Sequence, residues 1–206
     1  MADSYTQVPP NSTGNKMRTR SRVIGSDTVH EQAIFNAAMP TYYALADAVA
    51  FAANKHHIAV WNNAGSNQVL ALKKLFHINL SLAAVTGVAL RFDAKKVTAI
   101  PTGGTDITAQ SVDSLNPSLA NVTIKTNATV TEGALMFPIT TQNDEITAAN
   151  TAVANYLAQI GNLAIEGVET QEWRLRPGEG LTIKQITSTT VGSFAWLAVF
   201  TVEPTV

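Results

Sequence analysis

The sequence predicts a mainly β fold: an antiparallel jelly roll or sandwich over residues 28–206, preceded by an extended, basic N-terminal arm over residues 1–27. Three observations lead there. From Trp173 to Ile186 apolar residues alternate on both sides of a Pro177-Gly178-Glu179-Gly180 corner, which places Trp173, Leu175, Leu181 and Ile183 on one face of a pleated surface. Pro177 fixes its own φ, and Gly178 and Gly180 permit the positive φ values of a tight reversal. After Ser188–Ser193 a third run alternates Phe194, Trp196, Ala198, Phe200 and Val202 with Ala195, Leu197, Val199 and Thr201. That strand is apolar on both faces, so it is expected to be central and to close a C-terminal meander. Finally, turn signals recur at short spacing, enough for eight to nine strands.

Residues 1–27 hold Pro9, Pro10, Gly14 and Gly25, many hydroxyl and amide side chains and few large apolar ones. Such a segment lacks a core of its own. Lys16, Arg18, Arg20 and Arg22 outnumber Asp3 and Asp27. In an extended chain the alternating arginines point to one side, a row suited to an acidic groove or to phosphates on a partner, or else solvated in a chain end.

Thr28–Phe35 reads as the first strand of the body. Thr41–Ala53 reads either way, its alanines favouring helix and its neighbours favouring strand. Ile58–Asn62 alternates into a turn at Asn63–Asn67, and Val69–Leu82 is a long strand with Leu70, Leu72, Phe76, Ile78 and Leu80 on one side. Thr86-Gly87 reverses the chain into Val88, Leu90 and Phe92, with Arg91, Asp93 and Lys95 on an opposite, wet face. Gly103-Gly104 turns again, Val122–Thr131 alternates, and Ala134–Ile139 forms a short strand ending near Pro138. Asn143-Asp144-Glu145 suits the cap of a helix over Ile146–Leu157, the alternative being a long surface loop.

Charged residues make up 14% of the chain, against a usual share of about 25%. A neutral, hydroxyl-rich exterior suits a protein covered by other subunits, and equally a low-charge β-protein standing alone. Together with a strand apolar on both faces, it leads to the expectation of a symmetric homo-oligomer. A net charge of −1 gives no global field to draw nucleic acid or an anionic membrane. The N-terminus reads as carrying no secretory signal, no run is long and apolar enough to span a bilayer as a helix, and no cysteine is present.

Chemistry-bearing patterns are sparse. His56-His57 tempts as a metal site, but neighbours on a strand point to opposite faces, and neither His30 nor His77 has a spacing that adds a ligand. Glu166, Glu169, Glu172 and Glu179 hold two carboxylates for a glycosidase-like pair, yet they sit beside Arg174 and Arg176, where ion pairing is the simpler reading. The sequons at Asn11, Asn79, Asn121 and Asn127 are what chance yields in such a composition. Trp61, Trp173 and Trp196 lie in alternating apolar runs, which favours packing over a sugar-binding surface. No nucleophile elbow, P-loop or dinucleotide fingerprint occurs, so no enzymatic activity, cofactor or metal is expected.

The order of segments resembles small structural proteins of tailed bacteriophages and prophages. The residues that carry the likeness are Asp3–Gly14 running into Arg18-Thr19-Arg20-Ser21-Arg22, then Asn62–Ser66, Ala84–Val88, Thr129–Leu135, Leu175–Gly180 and Thr189–Phe194. They cover most of the chain but are fold and turn motifs; Thr147–Leu163 departs from the pattern, and nothing is carried over there. The resemblance implies a virion component made in the host cytoplasm, a capsid decoration (cement) protein whose jelly-roll body assembles as a trimer on the head shell. Tyr5, Lys16, Arg18, Arg20 and Arg22 are then the expected contacts to the major capsid protein or a neighbouring subunit. A tail-associated receptor- or carbohydrate-binding β-sandwich is the alternative.

Overall fold

The computed structural model of the chain describes residues 3–7, 16–24, 27–32, 39–80, 88–143, 157–162 and 173–204. The chain divides into two compact units, Met1–Ala38 and Met39–Val206. In the first, β1 (Asp3–Gln7), β2 (Lys16–Ile24) and β3 (Asp27–Gln32) form a three-stranded antiparallel sheet in the order β1-β2-β3. The described residues of the expected arm are thus strands that pair with one another. The division expected after residue 27 falls inside β3. β2 and β3 pair in register from Thr19↔Gln32 to Ile24↔Asp27.

The second unit is a two-sheet sandwich. Its strands are β4 (Thr41–Ala50), β5 (His56–Asn62), β6 (Gln68–Asn79), β7 (Val88–Val97), β8 (Thr105–Asp106), β9 (Gln110–Ser111), β10 (Val122–Thr126), β11 (Glu132–Asn143), β12 (Leu157–Asn162), β13 (Trp173–Leu175), β14 (Glu179–Gln185) and β15 (Ser193–Pro204). Sheet I runs β12-β6-β15-β4-β9, with β13 also on β6; sheet II runs β11-β7-β14-β5-β10-β8. All pairings are antiparallel. The principal strands β4, β6, β12 and β15 fall in one sheet and β5, β7, β11 and β14 in the other. The chain thus passes repeatedly from sheet to sheet. Among the described residues there is no helix.

The core lies between the sheets. Phe92 and Ile183 from sheet II meet Phe194, Trp196 and Phe200 from sheet I, all at most 1% exposed. Phe92 and Trp196 make an edge contact with ring centroids 5.0 Å apart. His57 joins this aromatic cluster, 5.1 Å from the Phe92 ring.

Several expectations change. Thr41–Ala53, open between helix and strand, is strand over Thr41–Ala50. The three C-terminal strands are not a meander: β13 pairs with β6, β14 with β5 and β7, and β15 with β6 and β4. The Pro177-Gly178 corner carries the chain across the sandwich instead of folding it back in one sheet. In β6 the apolar face does not run straight through, because a register shift against β15 moves the pairing from Leu72↔Phe200 to Lys74↔Val199. Such a bulge reverses the facing of every later residue, so Leu70, Leu72 and Leu75 lie in the core while Phe76 and Ile78 face outward. β11 continues past Pro138, which an edge strand tolerates because no ladder needs its missing N–H. The helix candidate Ile146–Leu157 lies outside the described residues except for Leu157, which opens β12.

Candidate interaction surfaces

The outward face of sheet I is the first surface. Direct partners across antiparallel strands share a face, so the pairings give two rows, Tyr43–Val199–Lys74 and Leu45–Leu197–Phe76, with Ile78 beside Ala195 completing the patch. Tyr43 and Leu45 are 36% and 41% exposed, while Leu197, Val199, Phe76 and Ile78 are half-buried. The central position expected for the last strand holds: β15 lies between β6 and β4. Over Ala195–Val199 its outward side chains are aliphatic where a solvated sheet face carries polar ones.

The outward face of sheet II is charged. Lys184 pairs across the sheet with His56 and Asp93, and Lys95 with Thr182. At the head of β11, Glu132 accepts hydrogen bonds from Lys184 at 2.6 Å on Oε1 and from Lys95 on Oε2. His56 Nε2 lies 3.4 Å from the same carboxylate, and its Nδ1 lies 3.0 Å from Thr182 Oγ1. Thr182 in turn donates to the Ile58 carbonyl. Burial pushes the Glu132 carboxyl up, but the hydrogen bonds and charges of Lys184 and Lys95 outweigh it and hold the group at about 2. Burial lowers the His56 imidazole, and the two lysines add to that against the pull of Glu132. The face expected to be wet is, around Asp93 and Lys95, a largely enclosed ion network, with Asp93 6% exposed and paired to Arg91 at 3.0 Å.

Between the edges of the two sheets lies a cleft of about 760 Å³, formed by β11, β13 and the corner leading into β14. Leu135, Met136, Trp173 and Leu175 give it apolar walls. Trp173 stands edge-on to Phe137, ring centroids 5.2 Å apart. Lys96, Arg174 and Arg176 are on its cationic rim; Arg174 is bridged to Glu203 at 2.8 Å, and Glu179 accepts the Arg176 backbone N–H at 2.9 Å.

At the other lateral edge, the loop after β9 presents Val112 and Leu115, 65% and 90% exposed. Its shape is fixed from within. Ser111 Oγ accepts from the Asp113 backbone N–H and from Asn116 Nδ2, and Asp113 Oδ1 accepts the Leu115 N–H at 2.9 Å. Tyr42, buried in the core, donates its hydroxyl to the Pro117 carbonyl at 2.7 Å.

The expected partner-binding residues all fall in the first unit. Tyr5 on β1 pairs with Arg18 on β2, Lys16 with Gln7, and Arg22 with Val29. Arg20 stands in register with Asp3 on one side and Glu31 on the other. The histidine pair divides between faces, His56 outward and His57 into the core. Among the described residues no group of three or more His, Cys, Asp or Glu side chains is placed to hold a metal ion, and no helix is long and apolar enough to cross a membrane. Glu166, Glu169 and Glu172 lie outside the described residues. Of the tryptophans, Trp61 and Trp196 are buried and Trp173 is half-buried at the cleft. Sequence reading missed the cleft and the Glu132 network, since each is assembled from segments that do not adjoin in the chain, and it missed the Leu115 loop because two apolar side chains in a polar turn carry no periodic signal. Comparison with known family models, curated proteins and solved structures finds no match to this chain.

Proposed function

We propose that the protein is a non-enzymatic structural component of a phage virion, a decoration protein that binds and stabilises the head shell as a homotrimer. The observation that carries this reading is the outward face of sheet I, where Tyr43, Leu45, Phe76, Ile78, Leu197 and Val199 form one apolar patch on a rigid sandwich. A patch of this kind marks a macromolecular contact rather than a catalytic centre. The basic row of the N-terminal sheet suits an acidic surface on the major capsid protein or on a neighbouring subunit, and the likeness of the segment order to phage structural proteins gives the setting. Attachment is then divided: charge-assisted contacts from Arg18, Arg20 and Arg22 hold the shell, each worth roughly 1.5–3 kcal/mol where water is excluded and far less where it is not.

Two measurements test this. Removing residues 1–38 should leave a folded sandwich that no longer stays on expanded heads, and a virion reconstruction should place the protein on the capsid surface. Undiminished binding of the truncated protein, or a position in the tail, rejects the reading. The half-buried Trp173 beside a cleft favours the second reading, a tail-associated carbohydrate-binding module. Glycan-array binding that disappears in Trp173→Ala supports that alternative instead.

A further inference from the structure

We infer that Leu115 of one copy of this chain seats in the Trp173 cleft of the next, so that copies join head to tail into a closed ring. This inference rests on the homo-oligomer in the proposed function and specifies how its subunits meet. The two halves of the contact are both on the sandwich and at opposite lateral edges. β9, from which the Leu115 loop springs, ends sheet I beyond β4, whereas the cleft lies between β11, the far edge of sheet II, and β13 on β6. A contact between two different patches is heterologous, and copies related by it form a ring when the rotation closes.

The chemistry of the halves matches. Leu115 is 90% exposed on a loop held by hydrogen bonds to Ser111, Asp113 and Tyr42, so little ordering remains to be done on docking. Its counterpart is lined by Leu135, Met136, Trp173 and Leu175 and, at about 760 Å³, has room for Val112 as well. Asp113 is exposed beside Leu115, while the cations Lys96 and Arg176 are exposed on the rim of the cleft and outnumber its one exposed acid, Glu179, whose carboxylate caps the Arg176 N–H. An apolar anchor next to an acid on one edge, and an apolar cleft rimmed by cations on the other, make a second copy of the chain the occupant that satisfies both. Edge-to-edge joining also leaves the outward face of sheet I clear, so all subunits of the ring present it together.

The test is sedimentation of the full chain at micromolar concentration. The wild type should be oligomeric, and Leu115→Asp should raise its dissociation constant by at least about tenfold, as loss of an interface anchor does, with an unchanged far-UV spectrum. Asp113→Lys and Arg176→Glu should each weaken assembly, and together restore it. Since the chain has no cysteine of its own, Leu115→Cys combined with Leu135→Cys should give disulfide-linked trimers on oxidation, closed without free thiols. If the wild type is oligomeric but Leu115→Asp assembles equally well, or the cysteine pair does not link, the edge contact is wrong and the oligomer stands. A monomeric wild type overturns both.

Discussion

Lys184 reaches across a whole strand to Glu132. In sheet II, β7 lies between β14 and β11, yet the Lys184 ammonium stands 2.6 Å from Glu132 Oε1. Lys95, on the strand between them, takes the other carboxylate oxygen. One carboxylate thus ties together three strands of the sheet from above, with the side chains of Lys95, Lys184 and Glu132 only 20%, 16% and 26% exposed.

Glu132→Ala removes the anion and leaves two poorly hydrated ammonium groups facing each other. The expected loss is about 3 kcal/mol, the lower end of what breaking an enclosed ion pair costs, read as a fall in the denaturant midpoint at neutral pH. The same carboxylate has a pH signature. Its folded pKa of about 2 lies below the ordinary 4.5, so the unfolded chain binds the proton first. The stabilisation is complete above pH 4.5 and fades as pH falls through about 2. Glu132→Ala should lose that part of the acid dependence; an unchanged slope there refutes the assignment.

A second acid dependence should appear at higher pH. Burial lowers both His57 and His77 from the ordinary 6.5 to about 4. His57 sits among Phe51, Phe92 and Trp196, donating from Nε2 to Gln185 Oε1 at 3.0 Å, and His77 stacks on Phe194 with its Nε2 3.1 Å from Thr141 Oγ1. Here too the unfolded state binds protons first, so stability declines as pH drops from 6.5 towards 4 and levels off below. The slope is at most about 1.4 kcal/mol per pH unit for each histidine. His77→Phe, which keeps an aromatic ring against Phe194, should flatten the decline between pH 6.5 and 4, leaving the part that His57 and His56 carry. Chemical-denaturation midpoints across that range decide it, and an unflattened curve counts against the buried neutral imidazole.

The two glycines of the Pro-Gly-Glu-Gly corner should respond differently to substitution. Gly178 has φ +82 with no atom within 4 Å of an added Cβ, so it needs conformational freedom and not space. Gly180 lies in β14, where a Cβ would stand 2.6 Å from the Val60 carbonyl oxygen and 2.9 Å from the Trp61 ring. Asn, which tolerates positive φ, should be accepted at 178, whereas Gly180→Ala should cost about 1–3 kcal/mol through overpacking. Thermal unfolding of Gly178→Asn and Gly180→Ala checks both; equal losses contradict the distinction.

The corner also shows how far the sequence could be read. Alternation identified Leu175, Leu181 and Ile183 as core residues, because a strand's period of two is written locally. It did not reveal that β13 and β14 belong to different sheets, since pairing partners are chosen by segments a hundred residues away. The β6 bulge was hidden for a related reason. Ala71, Leu72, Lys73, Lys74 and Leu75 contain no glycine or proline to mark it, and the pairing with β15 alone displays the slip. Surfaces were less legible than the core. The outward apolar face follows from the composition of β15, but Glu132, Lys95 and Lys184 meet only after the strands are ordered.

The placement of β15 has a consequence for biosynthesis. Its residues, Ser193–Pro204, leave the ribosome after every other described strand, yet they fill the slot between β6 and β4. Until then sheet I has two facing unpaired edges and no Phe194, Trp196 or Phe200 to complete the core. Folding must wait for contacts between segments some 150 residues apart, the kind of topology that closes slowly. Nascent chains crowded on one message therefore expose open strand edges to one another. Such crowding favours strand exchange between neighbours.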